Sequence, residues 1–412
     1  MQTLLTHCAA LDVHKANVQV CRLTLDGSGN PLVEERQFAT YTKDLLALRD
    51  WLEAAGVTHV AMESTGSYWR PIYNLLEGHF ELLLVNPRHV KNVPGRKTDV
   101  NDARWLAQLL QHGLLKASFV APEQQRILQD LTRTPTSLVE EQNRLVNRIQ
   151  KTLEDANIKL ACVASDVVGV SGRQILAALL GGERDPSGLA QLARGRMRSK
   201  IADLEVALQG HLKAHHALIL TELLCQIDSL DASIERLEAA IEERMAPYRE
   251  VVVLLDGIPG IAQTTAHVIL AEIGADMSRF ATASHLCAWA GVAPGNHESA
   301  GKQRSGKTRK GNRALRRALV EAARAGVKKK DSYLQAQYHR LKARCGSNRA
   351  LIAVAHSILK SIYYLLERQQ PYRDLGGDYF DKRRPESTTR RLVARLEKLG
   401  HKVTLEPQAA VG

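Results

Sequence analysis

Four acidic residues are spaced so that they can meet at one metal site. Asp12 ends a predicted strand, Glu63 follows the apolar run at 60–62, and Asp99 and Asp102 stand three residues apart on a predicted helix. Four carboxylates in one cleft would repel each other, but divalent magnesium or manganese removes the repulsion and prefers oxygen ligands. Two such ions would hold the attacking and the leaving oxygen of a phosphoryl transfer. The sequence therefore predicts a metal-dependent acidic site that acts on phosphodiesters.

Each of these residues also has an ordinary structural explanation. An aspartate at a strand end is often only a turn residue, and Asp99 would serve equally as the N-cap of the helix that contains Asp102. His14 and Lys15, close after Asp12, are either phosphate contacts or solvated turn residues. The metal site is therefore favoured only if one fold brings the four carboxylates together.

A second candidate for chemistry is the loop at 291–312, which is rich in small and basic residues and contains Ser299 and Ser305. One interpretation is a flexible nucleic-acid-binding loop whose hydroxyls only hydrogen-bond phosphate. The other is that one serine attacks a phosphodiester while neighbouring cations stabilise the charge on phosphorus. Both predict nucleic-acid contacts from the cations of this region, which are Lys302, Arg304, Lys307, Arg309, Lys310, Arg313, Arg316 and Arg317.

A serine nucleophile must lose its proton, and two acceptors are available. His297 is the nearest titratable side chain, and a metal held by the acidic residues is the other possibility. We favour the metal, because His297 is nearly adjacent in sequence to Ser299 and would point away in an extended loop.

The first hundred residues predict a sheet that would position the carboxylates. The predicted elements are strands at 4–13, 18–25 and 32–38, a helix at 42–55, a strand at 57–62, a helix at 67–77, a strand at 80–85 and a helix at 99–112. Short connections make the first strands antiparallel, and helical crossovers make the later ones parallel. This order is typical of a ribonuclease H-like α/β fold. Because its first and fourth strands are neighbours, Asp12 and Glu63 would lie at the same end of the sheet.

The middle of the chain is predicted to be helical. Apolar residues recur in steps of three and four over three heptads, at Leu220, Leu223, Ile227, Leu230, Ile234, Leu237 and Ile241. This spacing predicts a coiled coil with another helix, either of the same chain or of a second subunit. The alternative is one amphipathic helix that packs against the core of its own domain. Residues 169–195 are expected to form short connecting helices, and nothing assigns a role to residues 155–215.

The last third of the chain is predicted to be mainly helical. Residues 255–270 have the form of a helix-hairpin-helix element, in which a glycine-rich turn exposes amides to phosphate, although a buried tight turn needs the same glycines. Basic helices are expected at 312–330 and 347–369, and a strand near Val403. The expected domains are 1–120, 121–248 and 249–412.

Composition favours a protein that binds nucleic acid. The chain has 412 residues and a formal net charge of +12, and that excess lies within residues 296–344. Its six cysteines are far apart without a CxxC pair, which argues against zinc knuckles and a disulfide-built secreted domain. Without a signal-like N-terminus or an apolar stretch of about 18 residues, we expect a cytoplasmic protein that makes no membrane contact.

Several motifs resemble those of the insertion-sequence transposases of the DEDD type. They are LDVHK at 11–15, MESTG at 62–66, KTDVNDA at 97–103, IPGI at 258–261, GVAPG at 291–295, ESAGK at 298–302 and LGGDYF at 375–380. The resemblance implies a RuvC-like, ribonuclease H-like nuclease domain, a helical coiled-coil middle and a serine-bearing transposase domain. It places the acidic tetrad on Asp12, Glu63, Asp99 and Asp102, and the serine on Ser299, with Ser305 as the competing candidate.

The resemblance also implies partners and an activity. These would be donor and target DNA, Mg²⁺ or Mn²⁺, a guide RNA transcribed from the element itself, and further copies of the chain in a dimer or tetramer. We therefore expect a recombinase that moves its own insertion sequence. No P-loop pattern is present, so no nucleotide cofactor is expected. The rivals are a junction-resolvase-like nuclease that uses the tetrad alone and a non-catalytic nucleic-acid-binding protein.

Overall fold

The chain divides into two compact units, Met1–Glu123 and Gln124–Gly412. The structure is a computed structural model that describes residues 3–25, 28–64, 66–87, 90, 102–295, 297–299, 302–383 and 385–406. At 297–299 and 302–305 it describes the backbone alone. Each unit has its own apolar clusters, so each can be understood from its own residues.

The first unit is built on a five-stranded sheet. Its strands are β1 Cys8–Val13, β2 Asn17–Leu25, β3 Pro31–Ala39, β4 His59–Glu63 and β5 Glu81–Val85. The order is β3-β2-β1-β4-β5, in which β2 is antiparallel to β1 and β3, while β4 is parallel to β1 and β5. The predicted antiparallel meander, the parallel strands and the contact between the first and fourth strands are confirmed. The first strand is shorter than predicted, because the amides of Leu4 and Leu5 bond the carbonyl of Gln111 instead of a strand.

Helices cover both faces of this sheet. They are α1 Thr42–Glu53, α2 Trp69–Leu76 and α3 Asp102–Gln111. A row of leucines on α1 packs, together with α2, against the face that carries Leu11 and Met62. Helix α3 packs against the opposite face, which carries Ala10 and Ala61. Because side chains alternate along a strand, the residue that follows Leu11 in β1 and the one that follows Met62 in β4 lie on the face that α3 covers.

The second unit begins with two long helices and a set of short ones between them. They are α4 Glu123–Asp155, α5 Leu160–Val163, α6 Val170–Leu180, α7 Pro186–Ala190, α8 Ile201–Ala207 and α9 Ala214–Met245. Gln142 of α4 bonds Asp231 of α9, and farther along α4 Asp155 bonds His216. Residue numbers rise along one helix as they fall along the other, so the two long helices are antiparallel.

The short helices form a lobe where α4 ends and α9 begins. Its core joins Ile149 of α4, Leu176 of α6, Leu204 of α8 and Ile227 of α9, all of them buried. The prediction of short connecting helices in this segment is confirmed. The lobe also explains why Leu220, Leu223 and Ile227 have heptad spacing, because they fill its core.

The predicted long helix is confirmed, and its partner within the chain is α4. At its other end Ile241 belongs to the core of the C-terminal region. Leu230 packs half-buried against the core of the lobe, and Ile234 and Leu237 between the two cores are also half-buried. The heptad pattern is thus satisfied at both ends by the chain's own residues. A seam with a second subunit stays a prediction and concerns the middle of α9.

The remaining elements enclose the C-terminal core. They are α10 Arg249–Asp256, α11 Gln263–Ile273, α12 Ala283–Trp289, β6 His297–Ser299, β7 Lys302–Ser305, α13 Arg313–Gly326, α14 Tyr333–Cys345, α15 Ser347–Arg368, α16 Tyr379–Arg383 and α17 Pro385–Lys398. Both predicted basic helices are present as α13 and α15. The strand expected near Val403 is wrong, since residues 401–406 have no regular structure.

The glycine-rich turn between α10 and α11 is a packing element. Gly260 has φ +90°, and a Cβ at this position would collide with the backbone of α13 at Ala322 and Gly326. The close approach of turn and helix therefore requires this glycine, which is the structural alternative named for the helix-hairpin-helix pattern. Phosphate binding by this turn stays a prediction.

Helix α15 is long and apolar enough, by length and composition, to cross a membrane, contrary to the expectation that no segment is. Its apolar residues, including Val354, Ile358 and Ile362, are buried in the C-terminal core. The composition of this helix is accounted for by its place in the core.

Candidate functional site

Two carboxylates end neighbouring parallel strands in matching register. Leu11 of β1 is paired with Met62 of β4, so the residues that follow them, Asp12 and Glu63, stand side by side at the carboxyl ends of the strands. Leu11 and Met62 lie on the face covered by α1 and α2. Because side chains alternate along a strand, Asp12 and Glu63 belong to the other face, which α3 covers. The predicted convergence of Asp12 and Glu63 on one end of the sheet is what the register produces.

Asp102 reaches the same end of the sheet from α3. The carboxyl end of this helix lies beside the start of β1, because Gln111 accepts the amides of Leu4 and Leu5. Helix α3 therefore runs opposite to β1, and its first residue, Asp102, lies toward the end where Asp12 stands. Three of the four predicted carboxylates share one end and one face of the sheet. Asp99 lies outside the described residues.

The donor atoms at this end suit a hard divalent cation. Asp12 and Glu63 are partly buried and Asp102 is exposed, so all three carry oxygen ligands at the rim of the sheet. Nε2 of His14 lies 3.1 Å from Oδ2 of Asp12, which orients that carboxylate. Oxygen donors at a solvent-accessible rim fit Mg²⁺ or Mn²⁺, which keep bound waters. His14 is thus a partner of Asp12, whereas the carbonyl of Lys15 accepts a hydrogen bond from Oγ1 of Thr40, and a phosphate contact by Lys15 stays a prediction.

Burial disfavours ionisation of the thiols beneath this face. Burial raises the pKa of Cys8 to about 12 and that of Cys21 to about 11. In the C-terminal core, burial likewise raises the pKa of Cys287 to about 11. Because the thiolate is the nucleophile, these cysteines are packing residues.

Among the described residues, one group of possible ligands is much tighter, and its chemistry is different. The ligand atoms of Asp155, His215 and His216 all lie within 4.8 Å of one another at the junction of the long helices and the lobe. Imidazole suits zinc or copper rather than magnesium. His216 also accepts the amide of Lys213 at its Nδ1, as part of the capping of α9. This group therefore serves the helix start, and its nitrogen ligands differ from the oxygen ligands at the acidic end of the sheet.

The serine candidates lie on a short β-hairpin. In the pairing of β6 with β7, Ser299 is opposite Lys302 and His297 is opposite Ser305, with an irregularity after His297. Ser299 therefore flanks the tip of the hairpin, whereas Ser305 and His297 lie at its base. The cross-strand neighbour of Ser299 is a cationic residue, and His297 is not its partner in the ladder.

The two ends of the hairpin loop meet at a pair of glycines. A Cβ at Gly291 would lie 2.8 Å from the amide nitrogen of Gly311, and one at Gly311 would lie 2.6 Å from the Cα of Gly291. Gly291 also has φ +73°. Since only glycine permits this approach, the residues at 291 and 311 close the loop at its base.

A buried carboxylate lies behind this base. Glu272 of α11 is fully buried and receives two hydrogen bonds of 2.7 Å from Arg133 of α4 and one of 2.5 Å from Nδ2 of Asn312. The hydrogen bond to Glu272 is the main reason why the pKa of Arg133 is raised. Oδ1 of Asn312 meanwhile accepts the amide of Leu315 and so caps α13. We call Arg133, Glu272 and Asn312 the anchor triad.

The predicted nucleic-acid cations continue from the hairpin into α13. Lys302 and Arg304 lie on β7, Lys307, Arg309 and Lys310 lie exposed in the following loop, and Arg313, Arg316 and Arg317 lie on the first turns of α13. Arg317 forms an ion pair with Glu140 of α4, so it also ties α13 to the long helix. We call residues 307–316 the basic strip. Its exposed cations are Lys307, Arg309, Lys310 and Arg313, while Arg316 is half-buried and Arg317, just beyond the strip, is exposed.

The anchor triad was not predicted from the sequence. A signal for Glu272 exists, because it is the one acidic residue of the otherwise apolar run 268–273 and therefore needs a buried partner. No local pattern identifies that partner, since Arg133 lies 139 residues away.

Comparison with known protein families gives two matches, one in each part of the chain that holds a candidate centre. Residues 9–158 match a family model described as "Transposase", for the DEDD type found in IS110 elements. Residues 253–339 match the model described as "Transposase IS116/IS110/IS902 family". The acidic end of the sheet lies in the first segment and the hairpin in the second.

Curated proteins of similar sequence carry related names. A "Probable family 20 transposase" of Pseudomonas aeruginosa is 28% identical over 79% of this chain and 89% of its own length. The "Transposase for insertion sequence element IS1111A" of Coxiella burnetii is 27% identical over 88% of this chain and 90% of its own. The "Putative transposase y4pF/y4sB" of Sinorhizobium fredii is 26% identical over 79% of this chain and 77% of its own.

Proposed function

Because this chain belongs to the DEDD-type insertion-sequence transposases of the IS110 family, we propose that it is a recombinase that excises and inserts its own element. Membership in this family implies DNA as the substrate. The proposal adds that the reaction combines the acidic end of the sheet with a serine nucleophile. Its domains would be 1–120, RuvC-like; 121–248, helical; and 249–412, serine-bearing.

The observation that carries the proposal is the register of β1 and β4. It aligns Asp12 with Glu63 on adjacent strand ends, while the direction of α3 brings Asp102 toward the same place. Carboxylates gathered at one rim are costly unless they bind cations. These residues, with Asp99, would hold Mg²⁺ or Mn²⁺, which would supply charge neutralisation at the scissile phosphate.

The serine would take part in two transesterifications. In the first, Oγ of Ser299 forms a bond to phosphorus, the bond between phosphorus and the departing strand's oxygen breaks, the serine proton is lost to a base, and that oxygen takes up a proton. In the second, a strand hydroxyl loses its proton to a base and bonds to the same phosphorus, the bond between phosphorus and Oγ of Ser299 breaks, and that Oγ regains a proton. Phosphodiester energy is conserved, so the reaction needs no nucleotide. The position of Ser299 beside the hairpin tip supports it over Ser305.

The basic strip supports the substrate assignment. Exposed Lys307, Arg309 and Lys310 precede the N-terminus of α13, where exposed Arg313 adds a further cation. Cations and helix N-termini both favour phosphate oxygens. We assign this strip to the phosphate backbone, so it would contribute affinity and its salt dependence rather than sequence choice.

Two partners belong to the proposal through the family resemblance. An element-encoded guide RNA would choose donor and target by base pairing, leaving the protein to bind backbone and shape. A dimer or tetramer would form along the half-buried middle of α9, at Leu230, Ile234 and Leu237. The reaction would take place in the cytoplasm, where donor and target DNA are present. Sequencing RNA that copurifies with the protein from its native host tests the guide directly.

The deciding experiment is to trap the covalent intermediate. A DNA substrate nicked near the cleavage site stalls the second transesterification, after which the protein is digested and the DNA-linked peptide is mapped by mass spectrometry. We expect an adduct on Ser299, its loss in Ser299→Ala, and its persistence in Ser305→Ala. An adduct on Ser305 would move the site to the base of the hairpin. Undiminished cleavage without any adduct in the double variant would establish hydrolysis by the carboxylates, as in the nuclease rival.

A further inference from the structure

We infer that Asn312 and Glu272 are positioning residues that fix the hairpin carrying Ser299 on the C-terminal core. The chemical part of this inference rests on the proposed function, whereas its structural part does not. It assigns a role to a buried charge cluster that the reaction itself does not use.

The starting point is that Glu272 is completely buried yet paired on both oxygens. Arg133 bonds Oε1 through Nε and Oε2 through Nη2, each at 2.7 Å, and Asn312 adds a third hydrogen bond to Oε2. A buried carboxylate with fixed partners has few alternative geometries, because any displacement leaves a charge unpaired in a medium of low dielectric. The cluster therefore holds α4, α11 and the start of α13 in one arrangement.

Asn312 connects the buried Glu272 to both ends of the hairpin loop. Its side chain donates to Glu272 and accepts from Leu315, while its backbone amide donates to the carbonyl of Trp289 at 3.3 Å. Trp289 ends α12, just before the loop starts. One residue thus joins the entrance of the loop, its exit and the buried charge.

The glycine contact removes the remaining freedom at the base. Gly291 and Gly311 touch through backbone atoms, and Gly311 directly precedes Asn312. The hairpin is therefore attached to the core through a short, crowded neck. A reacting oxygen must be placed to within about 1 Å, and a misplacement of that size costs about a hundredfold in rate. The anchor triad is positioned to supply this accuracy from outside the reacting centre.

The discriminating variant is Asn312→Ser. Serine is as good an N-cap as asparagine, so α13 stays capped, but serine has no amide to reach Glu272. Ser332→Ala is the matched control, because it removes the N-cap of α14 elsewhere in the same core. Both variants are measured well below their melting temperatures, as full-length protein.

Two measurements are made on each variant. Hydrogen exchange of the amides of β7 reports the order of the hairpin, and single-turnover adduct formation at saturating protein reports the chemical step. For Asn312→Ser we expect faster exchange in β7 and a rate lower by at least about tenfold, with DNA affinity within about twofold of the wild type. Ser332→Ala should leave both unchanged.

A second substitution keeps the test valid if Asn312→Ser folds poorly. Asn312→Thr also keeps a hydroxyl that can cap α13, but it has no amide to donate to Glu272. We expect it to speed exchange in β7 and to lower the rate as Asn312→Ser does. Wild-type exchange in β7 of Asn312→Ser, or equal loss in Ser332→Ala, would overturn the inference.

The two readouts separate this inference from the proposed function. If wild-type protein forms no serine adduct but Asn312→Ser loosens β7, the serine mechanism fails and the anchor stands. If the adduct forms on Ser299 at the same rate in Asn312→Ser and the wild type, the mechanism stands and the anchor fails.

Discussion

The two candidate centres of this protein are positioned by different physical means. Asp12 and Glu63 stand on adjacent strands, and a ladder of backbone hydrogen bonds fixes their alignment. Ser299 stands on a hairpin of two short strands, whose place is fixed by a glycine contact and a buried carboxylate at its base. The acidic centre depends on regular structure, and the serine hairpin depends on a few specific contacts.

This difference predicts how each centre fails. Replacing an acidic residue would remove a proposed metal ligand but leave the ladder intact, so we expect chemistry to be lost while fold and binding persist. Replacing a contact at the neck of the hairpin alters the position of a residue that is itself unchanged. The predictions below test this contrast, beginning with the largest effect.

Loss of an acidic ligand should abolish recombination. We expect Asp12→Ala, Glu63→Ala and Asp102→Ala each to reduce activity by more than about a hundredfold, because a metal at a phosphoryl group supplies several kcal/mol of stabilisation. DNA affinity should persist, because it comes mainly from Lys and Arg. Strand transfer and filter binding measure the two quantities, with the exposed surface residue variant Asp50→Ala as control. Full activity in chelator, with no response to added magnesium, contradicts the acidic site.

Asp99 sharpens this prediction, since it is either a ligand or a helix cap. Asp99→Asn keeps a good N-cap but lowers the charge available to a cation. If Asp99 is a ligand, Asp99→Asn should lose recombination activity as Asp12→Ala does. Activity close to that of the wild type would assign Asp99 to capping alone.

Crowding the neck of the hairpin should reduce activity strongly and stability moderately. In Gly311→Ala the new Cβ would overlap the backbone at Ala290 and Gly291, which costs about 1–3 kcal/mol as overpacking. The matched control is Gly306→Ala, where no atom of the described residues lies within 4 Å of the added carbon. Thermal unfolding and adduct rate should both change in the first variant and neither in the second. Equal melting temperatures and equal adduct rates in the two variants would show that the contact at the neck does not position the hairpin.

The long helix provides a third comparison, between a buried and a half-buried heptad position. Ile227→Asp should lower the free energy of unfolding by more than about 3 kcal/mol, since it places a charge in the core of the lobe. Ile234→Asp should change stability little but reduce the molar mass in light scattering if a second subunit packs there. Unchanged mass in Ile234→Asp would locate any subunit contact elsewhere.

The smallest expected effect is a pH dependence at the start of α9. The hydrogen bond with His216 lowers the pKa of Asp155 below its ordinary value. A lowered carboxyl pKa contributes stability above the unfolded-state pKa of about 4 and loses it as the pH falls through the folded-state value. We therefore expect the melting temperature of the wild type to exceed that of Asp155→Asn slightly at pH 6, with the difference vanishing toward pH 3. A constant difference would contradict this.

The sequence predicted the placement of Asp12 and Glu63 on adjacent strands, but not the contacts that attach the hairpin, because those contacts join residues far apart in the chain. Alternating strands and helices imply which strands are neighbours, so the juxtaposition of Asp12 and Glu63 followed from element order alone. The heptads in α9 predicted a helix correctly, but its partner within the chain and the lobe at its end depend on residues dozens of positions apart. Periodicity identifies a buried stripe without identifying what covers it.

The contacts behind the hairpin could not be predicted, because they join distant parts of the chain. Gly291 and Gly311 look like ordinary loop glycines until their backbones are seen to touch. Arg133 is one arginine among several on a long helix, and only its pairing with Glu272 distinguishes it.

The same distant pairing affects how the protein is made. Arg133 and Gln125 of α4 contact α11 over 139 and 146 residues, whereas the far end of that helix meets its partners in the lobe much sooner. At about 5–20 residues per second of translation, the first turns of α4 wait on the order of ten seconds for α11 to leave the ribosome. During synthesis one helix is therefore folded at its carboxyl end and unpartnered at its amino end. During that interval we expect Leu128 and the guanidinium of Arg133 to be exposed, so chaperones could bind this end of the helix.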